Sequence, residues 1–387
     1  MTMSRKCPIC NSVKKNIIEH ISMELPESIK LPREYDIVAC DDCGFTYSDG
    51  SSEVTQEDYN SYYESQNDYS DEVVRTNIHR EVNQNRTNLL KKYVSTEENI
   101  LDIGCGNGDF LKELKRCGYT RIKGVDPSEN SVRVLQRAGI DAEVGNIFGE
   151  SVEKYDVVCC EAVLEHIYDL QGCIYNLKKR LKGIGSKIFV DVPGMEGINE
   201  YLAPIADNFN CEHINYFTFC SLDNLFLSNG FRRISTEKEC CYFVKELGVP
   251  QMAIGGLYEL VQRDEVKIAK DTQSKNYITD YFQKISKKMQ LRTQRVNNII
   301  ETEEKVIIWG CGNFAYQLLA TIPEIREKIL YFVDSNLSKK GRKISGKLIK
   351  MPTDIKENDV LIIICSMNYS KDIAEECRKR NLRYYIY

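Results

Sequence analysis

The chain has 387 residues and a formal charge of −5, too long for one ordinary domain and long enough for two or three. Its 42% hydrophobic and 28% charged residues fit globular units with real cores and leave little room for extended disorder. Asp and Glu (57) outnumber Lys and Arg (52); this is the reverse of the basic footprint of a nucleic-acid binder, so a small-molecule substrate is the expected partner, not a nucleic acid.

The first residues, MTMSRKCPIC, carry a basic head without the apolar core of a secretory signal, and no run approaches the ~20 apolar residues that span a bilayer. No membrane partner is expected, and the cytoplasm is the expected location. Of sixteen cysteines, most sit singly in apolar segments, where a free thiol packs as a small hydrophobe. Four do not. Cys7-Pro-Ile-Cys10 and Cys40-Asp-Asp-Cys43 are two C-x-x-C knuckles whose spacing suits one tetrahedral Zn²⁺. The alternative is a redox pair or two unrelated pairs, but no βαβ pattern surrounds them. Four thiolates would leave no open coordination position, so the metal is expected to be structural, in a zinc-binding module over residues 1–55. Residues 56–84, dense in Tyr and acid, read as a connector that either packs its rings on the next domain or forms a lid over a ligand.

From residue 85 to 245 a doubly wound α/β unit is expected. Ile100-Leu101-Asp102-Ile103-Gly104-Cys105-Gly106-Asn107-Gly108 joins an apolar strand to a glycine-rich turn and then a helix, the geometry in which backbone and a helix N-terminus approach a ligand. Asp126, ending the second strand in Gly-Val-Asp-Pro, is placed to accept ribose hydroxyls. A third strand leads to Asn146 and Ile147, and Tyr155 to His166 gives a fourth strand running into a helix. Such sheets bind ligands at the carboxyl ends of their strands, so these segments converge on one crevice. The run D-x-G-x-G-x-G also differs from the offset G-x-G-x-x-G of dehydrogenases.

This series resembles the class I S-adenosylmethionine-dependent methyltransferases over roughly residues 85 to 245. The resemblance implies that Asp102, Gly104, Cys105, Gly106 and Gly108 form the loop at the methionine part of the cofactor. It further implies that Asp126 holds the ribose, Asn146 and Ile147 face the adenine, and Glu161 opens the segment that borders the site. Asn146 stands where the family more often has Asp. The order of modules, together with Asn210-Cys211-Glu212-His213, is similar to the sugar C-methyltransferase group, whose Tyr-x-Glu-His segment carries the base; here Asn210 replaces the Tyr. The resemblance implies a nucleotide-linked deoxysugar or related glycan precursor as acceptor. His213 is then expected to act as general base with Glu212 orienting it and His166 near the acceptor. Each histidine has the alternative of a backbone hydrogen bond.

Residues 246–300 show helical apolar spacing at Ile254, Leu257, Leu260 and Val261 and again at Tyr277, Tyr281, Phe282 and Ile285. They read as a helical linker and a possible homodimer surface. Residues 301–387 begin with Val306-Ile307-Ile308-Trp309-Gly310-Cys311-Gly312-Asn313 and continue through a strand ending in Asp334, a second and smaller Rossmann-like unit. It either takes a nucleotide or serves as scaffold. The expected fold class is therefore α/β: a zinc-ribbon-like module, a Rossmann-like methyltransferase sheet, a helical connector and a second Rossmann-like domain.

Overall fold

The computed structural model describes residues 5–50, 54–65, 77–244, 251–262, 266–366 and 369–387. The part of the Tyr-rich connector around Asp68-Tyr69-Ser70, and residues 246–250, lie outside the described residues. No helix among the described residues is long and apolar enough to cross a membrane.

The chain opens with β1 (Lys15–Ser22), β2 (Glu34–Cys40) and β3 (Thr46–Gly50), an antiparallel meander. After it come α1 (Gln56–Ser65) and α2 (Asn77–Tyr93). The central sheet starts with β4 (Ile100–Ile103), followed by α3 (Asp109–Arg116), β5 (Ile122–Asp126), α4 (Glu129–Arg137), β6 (Asp141–Val144) and β7 (Val157–Glu161). A 3-10 turn at Leu164–His166 precedes α5 (Leu170–Arg180) and β8 (Lys187–Pro193). Short helices α6 (Ile198–Tyr201) and α7 (Ile205–Asn208) lead to β9 (Asn215–Tyr216), α8 (Phe219–Leu227), β10 (Phe231–Arg233), β11 (Cys241–Val244) and β12 (Gln251–Leu260).

The strands run in the order β10-β12-β8-β7-β4-β5-β6, with β11 also paired to β12. From β8 to β6 all neighbours are parallel, whereas β12 is antiparallel to both β8 and β10. Both faces are covered. Val157 and Cys159 pack with Leu111, Leu114 and Leu135 on one side, and Val158 and Cys160 pack with Leu170, Ile174 and Leu177 on the other. This is why these strands read as continuous apolar runs without alternation. The order of the strands reverses at β4, which has β5 on one side and β7 on the other, so the crevice lies beyond the end of β4.

Over residues 251–260 the chain is a strand and not the helix that the spacing predicts. Ile254, Leu257 and Leu260 belong to strand β12, an integral part of the central sheet, and the domain boundary at 245 therefore cuts through it. Ile254 and Leu257 are fully buried, and a strand enclosed on both faces shows no period of two, so its apolar positions mimic helical spacing. Gly255 fits because an added Cβ would lie 2.4 Å from the Val190 carbonyl oxygen across the ladder. The linker helix is confined to α9 (Ser274–Thr302), where Tyr281, Phe282 and Ile285 are buried as their spacing suggests, whereas Tyr277 is half-buried and its neighbour Ile278 takes the core position.

The last unit comprises β13 (Val306–Trp309), α10 (Asn313–Thr321), α11 (Ile325–Lys328), β14 (Ile329–Val333), β15 (Lys343–Ile344), β16 (Lys347–Lys350), β17 (Leu361–Ile364), α12 (Ser370–Lys379) and β18 (Tyr384–Ile386). Its sheet order is β15-β16-β14-β13-β17-β18, parallel except for β15. The units share cores. β9 joins the N-terminal sheet through Thr46–Tyr216 and Tyr47–Asn215 pairing, and one apolar cluster runs from Ile37 through Phe209 and Tyr281 to Ile308 and Leu318.

Candidate functional site

The turn after β4 is built on left-handed glycines. Gly104 has φ +76°, and a Cβ there would meet the Val163 side chain at 2.5 Å. Gly108, φ +70°, caps α3, and its Cβ would fall 1.9 Å from Leu135. Gly106 donates its backbone N–H to the Asp126 carboxylate at 2.8 Å, and Ser128 donates to the other oxygen at 2.9 Å. Gly104, Asp126, Asn146, Ile147, Ala162, Val163 and His166 line a cleft of about 890 Å³ including its open mouth, together with Gln56, Asn60 and Tyr63 from α1. The Asn146 side-chain oxygen accepts from the Phe148 N–H at 2.9 Å. Cys105 is not among the residues that line the cleft: its thiol lies against Gly124, where a Cβ would be only 2.8 Å from it. Gly108 supports the loop from the side of α3 and does not line the cleft.

Asp102 and Glu161 lie beneath the loop at the ends of β4 and β7. Both Asp102 oxygens and one Glu161 oxygen are buried with no hydrogen-bond partner. Burial pushes the Asp102 carboxyl up to about 7, against the nearby Arg86 guanidinium and with help from Asp126 and Asp191. Burial and Asp102 raise Glu161 well above the carboxylate range. Beside them, Arg86 from α2 grips Asp191 from β8 with two bonds, at 2.6 and 2.8 Å, and the Tyr242 hydroxyl donates to the same carboxylate. Asp126 on the cleft and the buried Asp102 and Glu161 beneath the loop together suit a ligand that carries a ribose and a positive charge, as S-adenosylmethionine does.

The structure brings His166, which lines the cleft, together with His213, with ring centroids 4.8 Å apart and planes at 60°. Glu212 does not orient His213. Its carboxylate turns away to accept from the Tyr62 hydroxyl at 2.8 Å and the Asn313 amide at 3.4 Å. Instead the Asn210 side chain fixes this loop, accepting from the N–H groups of Glu212 and His213, both at 2.8 Å. The carboxylate beside the rings is Glu165, which is buried and lies 3.7 Å from His166 Nε2. Burial raises the Glu165 carboxyl to about 7. Burial, then His166, pushes His213 down to about 3; it is neutral at physiological pH but a weak proton acceptor, short of the match to working pH that a general base needs. Tyr63 stands edge-on to His166 at 5.2 Å, so the connector both packs its rings and borders the cleft.

Sequence reasoning missed Arg86, Asp191 and Glu165, whereas Tyr63 lies in the Tyr-rich stretch that was expected to pack its rings or form a lid. Asp191 had a signal, an acid inside the apolar run Phe189-Val190-Asp191-Val192, and Glu165 directly precedes a selected histidine. Arg86 is one charge in a polar helix and carries no mark.

At the N-terminus, Cys7 Sγ is 3.5 Å from Cys43 Sγ and Cys10 Sγ 3.5 Å from Cys40 Sγ, and all four sulfurs lie within 4.8 Å of one another. A tetrahedron of ~2.3 Å Zn–S bonds has sulfur separations of about 3.8 Å, so the set fits that ion. In the C-terminal unit, Asp334 accepts from the Cys311 N–H at 2.9 Å and from Lys339 at 3.2 Å. The position beside Gly312 is open, with no atom within 4 Å of where a Cβ would lie.

Residues 74–236 match the family described as methyltransferase domain, and residues 302–385 match the family described as C2185-like, N-terminal. The ubiquinone biosynthesis O-methyltransferase of Pseudomonas entomophila is 30% identical over 119 residues, 28% of this chain and 51% of that protein. The malonyl-[acyl-carrier protein] O-methyltransferase of Priestia megaterium is 27% identical over 146 residues, 36% of this chain and 51% of that protein. The chain thus spans about half the length of the curated relatives it matches. The crystal structure of magnesium protoporphyrin IX methyltransferase from Synechocystis PCC 6803 with bound SAH is 15% identical with a TM-score of 0.39, covering 52% of this chain and 97% of that one. The segment that builds the glycine loop, Asp126 and the buried carboxylates is a methyltransferase domain of the class I, S-adenosylmethionine-dependent type.

Proposed function

We propose that the protein transfers the methyl group of S-adenosylmethionine to a small-molecule acceptor held beside His166, and that the acceptor is a nucleotide-linked deoxysugar or related glycan precursor. The bound cofactor supplies an electrophilic methyl on its sulfonium. The chain supplies position: Asp102 and Glu161 face the cationic end, Asp126 the ribose, and Tyr63, His166 and His213 the side from which an acceptor enters. A reacting carbon or oxygen there must lose a proton, and the histidine pair with Glu165 is the polar cluster available to activate it. Cys7, Cys10, Cys40 and Cys43 would hold a structural Zn²⁺ that shapes the module behind this wall.

The observation that carries the acceptor class is the contact between the glycine turn of the second Rossmann-like unit and the loop that bears His213. Asn313, at the start of α10 in the second Rossmann-like unit, contacts Glu212 next to His213, and the open space beside Gly312 leaves room for a ligand to approach backbone. The curated relatives named for a quinone and for an acyl-carrier protein align with 28% and 36% of this chain.

Incubating the zinc-loaded protein with S-adenosylmethionine and a panel of nucleotide-linked keto- and hydroxy-deoxysugars should give S-adenosylhomocysteine and a methylated sugar nucleotide. Gly312→Val, at a position with ordinary φ and empty surroundings, should raise KM for the sugar nucleotide while kcat and cofactor affinity hold. Turnover with a quinol or acyl carrier and none with sugar nucleotides would refute the acceptor class.

A further inference from the structure

We propose that Glu165, His166 and His213 form a second metal site, separate from the four cysteines, that takes one divalent cation of the manganese or zinc kind at the acceptor side of the cleft. One ligand atom from each residue lies within 4.8 Å of the others, close enough for a single ion to reach all three after small side-chain movements. Two imidazoles and one carboxylate are the donor set of catalytic zinc sites and of open-sided manganese and iron(II) sites, which keep coordination positions for a substrate.

Three further observations point to an ion. First, Glu165 is only 2% exposed and its Oε2 has no hydrogen-bond partner. A carboxylate so enclosed calls for a cation, and a contact of 3.7 Å to His166 through the other oxygen is too long for a good hydrogen bond. Second, His166 Nδ1 donates to the Glu212 carbonyl oxygen at 3.1 Å. This fixes the tautomer and leaves the Nε2 lone pair facing Glu165, the arrangement by which backbone carbonyls orient metal-bound histidines. Third, the supporting shell is rigid. Asn210 holds the His213 N–H, and the buried Asn215 amide donates to the Leu164 and Ile167 carbonyls on either side of Glu165 and His166, at 2.8 and 2.6 Å. His166 also lines the cofactor cleft, so the ion's open positions would face the space next to the methyl group. An oxygen of the acceptor would bind there and be held for transfer. That use rests on the methyltransferase reading, whereas the site itself does not.

The test uses the full chain with its cysteine site filled by Zn²⁺ and other metal removed. Mn²⁺ prefers oxygen and nitrogen donors and leaves thiolates alone, so free Mn²⁺ is followed by its paramagnetic resonance during titration. One Mn²⁺ per chain should bind, at least about tenfold more weakly in Glu165→Gln and in His213→Ala, with S-adenosylmethionine affinity and thermal unfolding near wild type. A second readout needs no variant. The chain has four histidines, and Mn²⁺ should broaden the ring resonances of two of them. Absence of Mn²⁺ binding, equal binding by both variants, or broadening of a single exposed histidine would overturn the site. Failure of S-adenosylmethionine to bind would instead sink the methyltransferase reading, whatever Mn²⁺ does.

Discussion

At the residue scale the proposed cofactor site depends on carboxylates kept out of water. Asp102 titrates near 7 because burial opposes its charge, so at pH 6 much of it is protonated and unable to balance a cationic ligand. S-adenosylmethionine should therefore bind more tightly as pH rises through about 7, by up to tenfold per unit for one proton displaced. Calorimetry between pH 5.5 and 8.5 reads this directly, and a flat profile would count against the role of Asp102. Asp102→Asn should weaken binding by about 10–100-fold, since a bond to a charged group is worth ~1.5–3 kcal/mol, and should flatten the profile. The same shift has a sign for folding. A carboxyl whose folded pKa is raised favours the folded state fully below its unfolded value and loses that contribution as pH rises through the folded one. The ligand-free protein should therefore lose stability from about pH 4 to 7, and added cofactor should reverse part of the loss. Thermal unfolding with and without S-adenosylmethionine checks both.

At the element scale, three left-handed glycines differ in what surrounds them, and this ranks their substitutions. Gly44→Ala would place a Cβ 1.8 Å from the Asp271 carbonyl oxygen, which is backbone and itself tied to the knuckle by the bond from Asp271 N–H to Cys43 O. Gly108→Ala meets the movable end of Leu135, and Gly106→Ala meets nothing. Urea unfolding should show losses in the order Gly44, Gly108, Gly106, with the last near the ~1–2 kcal/mol of backbone strain alone; a Gly106 loss as large as that of Gly44 would break the argument. Elements whose signal is local were legible in the sequence: the cysteine knuckles, the glycine turns after β4 and β13, and the buried face of α9. Strand β12 was not, because enclosure on both faces erases alternation. Nor was the turn of Glu212 toward Tyr62 and Asn313, which depends on partners far away in the chain.

At the scale of the whole molecule, the N-terminal module packs behind the cleft wall, joined to it by the β3–β9 pairing and by one buried cation. Arg5, two residues before the first cysteine ligand candidate, is buried and donates to the carbonyls of Ser48, Ile214, Ile167 and Tyr168 and to the Asn215 side chain. It thereby ties the segment after His166 to the segment after His213. Arg5→Met should cost ~3–5 kcal/mol, because several buried carbonyls lose their donor at once, and denaturant titration should show it. Stripping metal from the cysteines with a chelator should loosen the same wall, lowering methyl transfer more than cofactor affinity. The central claim is tested most directly by calorimetric binding of S-adenosylmethionine, S-adenosylhomocysteine and NAD to the zinc-loaded protein: micromolar binding of the sulfonium cofactor and its product without NAD is the predicted result, and binding of NAD alone would contradict it.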